Sequence, residues 1–198
     1  MPRAFSEHER SMIMTALREA ALASLLTKGV RKTTIDDLVR QVNIPKGTFY
    51  LFYPNKEYLL FEALTDYGMR VQTELMDELR LAHEHLTPQS LTDILHRFYL
   101  RELGTGLIAL LTGGELDVLI RKLPDDLVAR EVTQDEQMFG LWREVFPSIA
   151  LPQVQIFSAA FRAIFFVGGY KREIGPHADD ALRALIYGLV LQLWSEDD

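Results

Sequence analysis

Residues 33–60 constrain the fold of this chain most, because they predict two short helices joined by a tight turn and a third helix directly after them. In the first of these helices, apolar side chains recur at the spacing of one helix face: Ile35, Leu38, Val39 and Val42. Thr34 is suited to cap the N-terminus of this helix, and Asn43, which tolerates a left-handed backbone, is suited to end it. Pro45 then fits the first position of the next helix.

The second helix is predicted over residues 46–53 and is about two turns long. Phe49 and Tyr53 are four residues apart and can face the first helix, which leaves Lys46, Thr48 and Tyr50 on the other sides. A hydroxyl, a phenol and a cation pointing outward are suited to contact phosphates. The whole stretch therefore predicts a helix-turn-helix, a motif that places one short helix in the major groove of DNA.

The net charge of −7 at first argues against a nucleic-acid partner, but its distribution does not. Residues 1–57 carry nine basic and six acidic side chains, a net charge of +3, so the remainder carries −10. A basic N-terminal part on an acidic remainder is typical of a DNA contact confined to one end. A chance imbalance of surface charge would give the same pattern.

The same stretch resembles the DNA-binding signature of the TetR family of transcriptional regulators. The resemblance rests on Thr34, on the run Gly47-Thr48-Phe49-Tyr50 and on the run Lys56-Glu57-Tyr58-Leu59, and it covers about the first third of the chain. Three positions depart from the family pattern: Asn43, Pro45 and Tyr53. The resemblance implies a DNA-binding head, a helical body that binds a small molecule, and assembly into dimers.

From the pattern and the resemblance together we predict eight DNA-binding residues. They are Thr34, Lys46, Gly47, Thr48, Tyr50, Leu51, Phe52 and Lys56. Lys56 opens the helix after the motif, where free backbone N–H groups also favour a phosphate. Leu51 and Phe52 can touch thymine methyl groups, although Phe52 could equally pack inside the protein.

The rest of the chain predicts helices separated by Gly and Pro breakers, with no strand alternation of useful length. A long helix should run from Lys56 to about His83, and Thr87-Pro88 should cap and open the next. We expect an all-α fold of about nine helices. The predicted division is a helix-turn-helix DNA-binding domain over residues 1–54 and a helical ligand-binding and dimerisation domain over residues 55–198.

The last two predicted helices are apolar around much of their circumference, so they must be covered on more than one side. A second copy could cover them in a two-fold four-helix bundle; an enclosed monomer core is the alternative. The predicted dimer interface consists of Phe157, Phe161, Leu182, Leu185, Ile186, Leu189, Val190 and Leu193.

The body is also rich in bulky apolar side chains, some of which could line a cavity for an apolar inducer, as the resemblance implies. The candidates are Phe98, Tyr99, Met138, Trp142, Phe161 and Phe165. Plain core packing is the alternative, because aromatic stripes are usually core.

No constellation for catalysis or metal binding is evident. The chain has no cysteine, and its five histidines lack the spacing of a helical zinc pair. Three acidic pairs lie in first turns of predicted helices, where the helix dipole explains them: Asp36-Asp37, Asp125-Asp126 and Asp179-Asp180. We therefore expect no cofactor, no metal and no enzymatic activity. Without a signal-peptide or membrane-spanning pattern, the chain is expected in the cytoplasm.

These observations predict a homodimeric transcriptional repressor that binds a palindromic DNA operator and is released by a small apolar ligand. The alternatives are a ligand-independent DNA-binding protein that acts through a protein partner, and a small α-helical enzyme.

Overall fold

The computed structural model describes residues 5–124, 127, 142, 145, 146 and 151–194, without the side chains of residues 151, 154, 162 and 165. Every regular element in these ranges is helical, which confirms the all-α prediction. The α-helices are α1 (Glu7–Lys32), α2 (Ile35–Val42), α3 (Lys46–Phe49), α4 (Lys56–Ala82), α5 (Pro88–Leu103), α6 (Leu107–Thr112), α7 (Glu115–Ile120), α8 (Leu151–Gly168), α9 (Lys171–Ile174) and α10 (Ala178–Leu191). A 3₁₀ turn, His83–His85, follows α4. The sequence also predicts a helix from Pro124 to Phe146, and most of these residues lie outside the described ranges.

The chain packs as two compact units, and it enters the first of them twice. The first unit consists of residues 1–69 and 113–128, and the second of residues 70–112 and 129–198. Helix α7 is therefore part of the first unit, where it packs on α1. The predicted domain boundary after residue 54 stays a prediction. Within the described residues, no helix is long and apolar enough to cross a membrane.

Helix α1 is interrupted at Gly29. Gly29 has φ 78° and ψ 177°, a conformation that side chains other than glycine rarely adopt, and a short helical turn to Lys32 follows it. At the other end, Ser6 and Glu9 form a capping box. Leu17, Ala21 and others on the inner face are buried.

The predicted caps of α2 are confirmed. Thr34 Oγ1 accepts a hydrogen bond of 3.2 Å from Asp37 N–H, and Asn43 takes the left-handed conformation with φ 57° and ψ 47°. Helix α3, in contrast, ends at Phe49 rather than Tyr53. Its continuation is a tighter turn, in which Phe52 N–H donates to Phe49 O at 3.0 Å. So short and aromatic a helix has little intrinsic stability and follows the packing of Phe49, which is fully buried.

The core of the second unit lies where α5 and α8 pack against α10. Rings from these helices and from the preceding segment contact one another in a chain: Phe98, Phe161, Phe157, Trp142, Phe146 and Trp194. Tyr99 is fully buried, and its hydroxyl donates to Ile164 O at 3.2 Å. A Cβ on Gly168 would lie 1.7 Å from that hydroxyl oxygen, so α8 approaches this close only because residue 168 is glycine. Gly168 is therefore a close-packing point between α5 and α8.

Candidate nucleic-acid interface

Residues 46–53, the recognition segment, expose most of the side chains that the sequence assigns to DNA. Tyr50 is 52% exposed and Leu51 60%, and Gly47 lies at the surface. Thr48 is the exception, because it is only 9% exposed, so its expected outward orientation is wrong. Thr48 lies next to the fully buried Phe49 in a four-residue helix, and both positions lie on its packed side. Its DNA contact, like those of the other seven residues, remains a prediction.

Lys46 points outward and already has an anionic partner. Its Nζ lies 3.0 Å from Asp36 Oδ1 in α2, and the lysine side chain is 51% exposed. The hydrogen bond to Asp36, and then the charge of that carboxylate, raise the pKa of Lys46 above its ordinary value. Lys46 is therefore a cation held in place across the turn of the motif, and the sequence analysis did not foresee this pairing.

Gly47 has no visible structural reason to be glycine. Apart from its two chain neighbours and the backbone of its own helix, no described residue has an atom within 4 Å of the position that a Cβ would take, and its φ is not in the left-handed region. Glycine inside a helix costs about 1 kcal/mol relative to alanine. The absence of a side chain on this exposed face is what the close approach of another molecule to the backbone would require.

Phe52 packs inside the first unit more than it faces outward. Its ring centroid lies 6.3 Å from that of Phe5, and the Arg10 guanidinium lies 4.9 Å above the ring. The side chain is partly buried, which favours the packing alternative. Arg10 was not predicted; it places a cation beside the recognition segment from the first turns of α1.

Lys56 lies at the N-terminus of α4, but its ammonium is turned to the protein backbone. Its Nζ donates to Val30 O at 2.7 Å and to Thr33 O at 2.6 Å. Burial lowers the pKa of Lys56 below its ordinary value. Two of its three N–H donors are thus used, which leaves one for a phosphate. Asn55 caps α4 as predicted, accepting from Tyr58 N–H at 3.0 Å.

A carboxylate from α7 reaches the opposite side of the same backbone. Glu115 Oε2 accepts from Val30 N–H at 2.7 Å and from Arg31 N–H at 3.2 Å. Lys122, just after α7, pairs at 2.9 Å with Glu57, which is 8% exposed. No local pattern of residues signals either contact, because the partners are 85 and 65 residues apart.

Four of the six candidate pocket residues lie in the core of the second unit. Phe98, Tyr99, Trp142 and Phe161 are all buried. Met138 lies outside the described residues, as does the side chain of Phe165. Their role in a pocket remains a prediction.

The predicted dimer interface divides into two sets. Five of its eight residues are buried within this chain's own core and are not free to meet a partner: Phe157, Phe161, Leu182, Ile186 and Val190. They are buried because α8 and α10 turn these faces to α5 and to each other. Leu185 is exposed, and Leu189 and Leu193 are partly buried. Further apolar side chains are exposed on the same two helices: Ile156, Phe166, Tyr187 and Leu191.

The described residues contain no group of three or more His, Cys, Asp or Glu side chains that could hold a metal ion.

Comparison with known proteins finds a family that the first unit resembles. Residues 17–63 match the family model described as bacterial regulatory proteins, tetR family. The chain is also 32% identical over 71 residues to YuxN, an uncharacterized HTH-type transcriptional regulator of Bacillus subtilis (strain 168). That match covers 36% of this chain and 23% of YuxN, so it spans less than a quarter of the curated relative.

Solved structures share the fold over most of the chain. A TetR-family regulator from Mesorhizobium loti MAFF303099, described as putative, is 15% identical, with a TM-score of 0.68 over 93% of this chain and 96% of that chain. Thermus thermophilus FadR, a TetR-family transcriptional repressor solved with lauroyl-CoA, is 16% identical, with a TM-score of 0.55 over 93% of this chain and 95% of that chain. At these identities, the likeness establishes the fold.

Proposed function

We propose that this chain, which belongs to the TetR family of bacterial regulatory proteins, acts as a homodimeric repressor of transcription. In this proposal, each recognition segment enters the major groove of one half of a palindromic operator. A small apolar ligand in the second unit releases the protein, which requires that the ligand bind the released conformation more tightly than the DNA-bound one. In this proposal the protein is located in the bacterial cytoplasm, together with the DNA that it binds.

The observation that carries DNA binding is Gly47. The free protein gains nothing visible from glycine there, because the space around it is open. A DNA backbone approaching the start of α3 would occupy that space and explain the missing side chain. The flanking residues Lys46 and Tyr50 are exposed and offer a cation and a phenol to the same approaching strand.

Gly47→Ala tests this interpretation directly, with Gly68→Ala as the matched control. Both glycines lie in helices with open space where a Cβ would be. Both replacements should leave the fold intact and raise the free energy of unfolding or leave it unchanged. Only Gly47→Ala should weaken DNA binding, by about tenfold or more, since the added methyl would hold the backbone away from a phosphate.

The operator itself can be found by selecting bound duplexes from a random DNA pool. We expect an inverted repeat whose half-site spacing reflects the two heads of a dimer. Failure of the wild-type chain to enrich any sequence at low salt would overturn the proposed function.

Support for the dimer comes from apolar side chains that the described residues leave uncovered on α8 and α10. Ile156 is 69% exposed and Leu185 50%, and both helices carry further exposed apolar residues. Exposed apolar side chains in this number on two packed helices are typical of a protein–protein contact. The five predicted interface residues that are buried would support this surface from beneath.

Support for a ligand in the second unit comes from its aromatic core and from Ser158. The Ser158 hydroxyl is buried, and within the described residues it has no hydrogen-bond partner. Leaving such a group unpaired costs about 1–3 kcal/mol. We propose that an apolar molecule with one polar group, bound in this core, supplies a partner for that hydroxyl.

Thermal unfolding in the presence of apolar compounds tests the ligand, with lauroyl-CoA as the first probe because the Thermus FadR structure contains it. A ligand should raise the unfolding midpoint with concentration and lower the affinity for the operator. If no compound raises the unfolding midpoint although the protein still binds the operator, regulation through a protein partner is favoured instead.

A further inference from the structure

We propose that Glu115 is a positioning residue for DNA binding. Its carboxylate completes the joint between α1 and α2 and so fixes the orientation of α2 and of the recognition segment that follows it. The joint is defined as residues 29–34. This inference rests on the proposed function, because it concerns how the head is held for DNA.

The joint needs an acceptor from elsewhere in the chain. The backbone of Gly29 leaves the helical path with ψ 177°, so the amides that follow it lose their partners in α1. The Val30 and Arg31 N–H groups point instead at Glu115 Oε2, at 2.7 and 3.2 Å. Arg31 also approaches Glu115 Oε1 with its guanidinium at 3.3 Å. One carboxylate therefore takes the place of the missing helical acceptors, in the manner of an N-cap.

Gly29 is fitted to this carboxylate. A Cβ at residue 29 would lie 3.0 Å from Glu115 Oε2 and 3.2 Å from its Cδ, tighter than ordinary contacts, and φ 78° strains any other residue. The glycine that turns the chain thus also makes room for the group that holds it.

The joint is closed from its other side by Lys56. Its ammonium donates to the carbonyls of Val30 and Thr33, while Glu115 accepts from the amides of Val30 and Arg31. Since Thr34 caps α2 directly afterwards, these contacts fix the backbone on which the whole motif is mounted. Charged hydrogen bonds of this kind are about twice as strong as neutral ones.

Helix α7 is docked firmly enough to act as the support. Leu119 is fully buried, and Lys122 pairs with the buried carboxylate of Glu57. Glu115 is only 21% exposed in its side chain, so water competes weakly for its oxygens. A shift of the joint backbone would tilt α2 and α3 together. The DNA contacts of the recognition segment, which depend on its orientation, would then weaken.

The test compares Glu115→Ala and Glu115→Gln with a matched control, Asp117→Ala. Asp117 lies in the same short helix but is exposed. Each variant is assayed in two ways, well below its unfolding midpoint. Hydrogen exchange followed by NMR measures protection of the Val30 and Arg31 amides without DNA. Binding to the selected operator is measured over a range of salt concentrations.

We expect Glu115→Ala to lose protection at both amides and to bind the operator about tenfold or more weakly, with an unchanged salt slope because no phosphate contact is lost. Glu115→Gln, which keeps one acceptor oxygen, should fall between Glu115→Ala and wild type and carries the test if Glu115→Ala does not fold. Asp117→Ala should match wild type in both assays.

Wild-type affinity in a Glu115 variant whose Val30 and Arg31 amides are unprotected would overturn the inference while leaving the proposed function intact. A reduced salt slope would also overturn it, since the residue would then act on phosphate contacts rather than on position. If the wild-type chain binds no DNA, the proposed function fails, and the exchange measurement still reports whether Glu115 holds the joint.

Discussion

Lys46 Nζ lies 3.0 Å from Asp36 Oδ1, so the cation proposed to meet a DNA phosphate is already paired with an anion across the turn of the motif. An approaching phosphate must compete with this carboxylate and is repelled by it. Asp36 therefore holds Lys46 in a defined place and at the same time weakens its attraction for DNA.

Asp36→Asn should raise the affinity for DNA severalfold at low salt, because the repulsive charge is removed while Lys46 stays. Electrophoretic mobility shifts with operator and with unrelated duplex would measure this, and the gain should be similar for both. Asp77→Asn is the control, because Asp77 pairs with Arg80 in the second unit. An equal gain in Asp77→Asn would assign the effect to net charge alone.

Lys46→Ala and Lys56→Ala should both weaken DNA binding, but only Lys56→Ala should also destabilise the fold. Each should weaken binding to all sequences and reduce the salt slope by about one. Lys56→Ala should in addition lower the free energy of unfolding by about 1–3 kcal/mol, because the carbonyls of Val30 and Thr33 lose a charged donor. Urea denaturation checks the second effect, with Lys32→Ala as an exposed control. An unchanged salt slope in Lys56→Ala would show that Lys56 does not contact a phosphate.

Gly168→Ala should destabilise the second unit by about 3 kcal/mol or more, because the new methyl would lie 1.7 Å from the Tyr99 hydroxyl oxygen. Gly68→Ala, in open space on α4, should instead be neutral or stabilising by up to about 1 kcal/mol. Adding Tyr99→Phe to Gly168→Ala should restore part of the loss, since it removes the oxygen but leaves Cζ at 2.8 Å. Strictly additive effects in thermal unfolding would contradict the contact.

Tyr99 should ionise late in an alkaline titration. Burial raises its pKa to about 12 from the ordinary 10.0. The folded state thus holds this proton more tightly than the unfolded chain, so the resulting stability is complete below pH 10 and is lost as the pH rises towards 12. Tyr99→Phe should diminish the late phase of phenolate absorbance.

Leu185→Glu should convert the proposed dimer to a monomer at micromolar concentration, because it places a charge within the exposed apolar surface of α10. Leu81→Glu is the control, since Leu81 is 91% exposed on α4, outside that surface. Light scattering after size exclusion would report both masses. A dimer that survives Leu185→Glu but not Leu81→Glu would place the interface elsewhere.

The parts of the fold that local chemistry determines could be predicted from the sequence. Thr34, Asn43 and Thr87 cap their helices as expected, because a cap depends on residues three or four positions away. The length of α3 could not be predicted in this way. Apolar spacing alone does not distinguish a second helical turn from the tighter turn that follows Phe49.

The candidate site was predictable in its location and less so in its contacts. Tyr50 and Lys46 are exposed as expected, whereas Thr48 is turned to the packed side. The partners Asp36 and Glu115 were missed because each depends on how separate helices lie beside one another. Glu115 and Val30 are 85 residues apart, and no periodic pattern links two such positions.

The double entry of the chain into the first unit has a consequence for engineered hybrids. A chimera that joins this head to a foreign body after residue 69 would omit residues 113–128. The amides of Val30 and Arg31 would then lack an acceptor, and Glu57 would lose its lysine. A graft that is meant to keep the operator preference of this chain must therefore carry two pieces of sequence, or supply a carboxylate of its own where Glu115 stands.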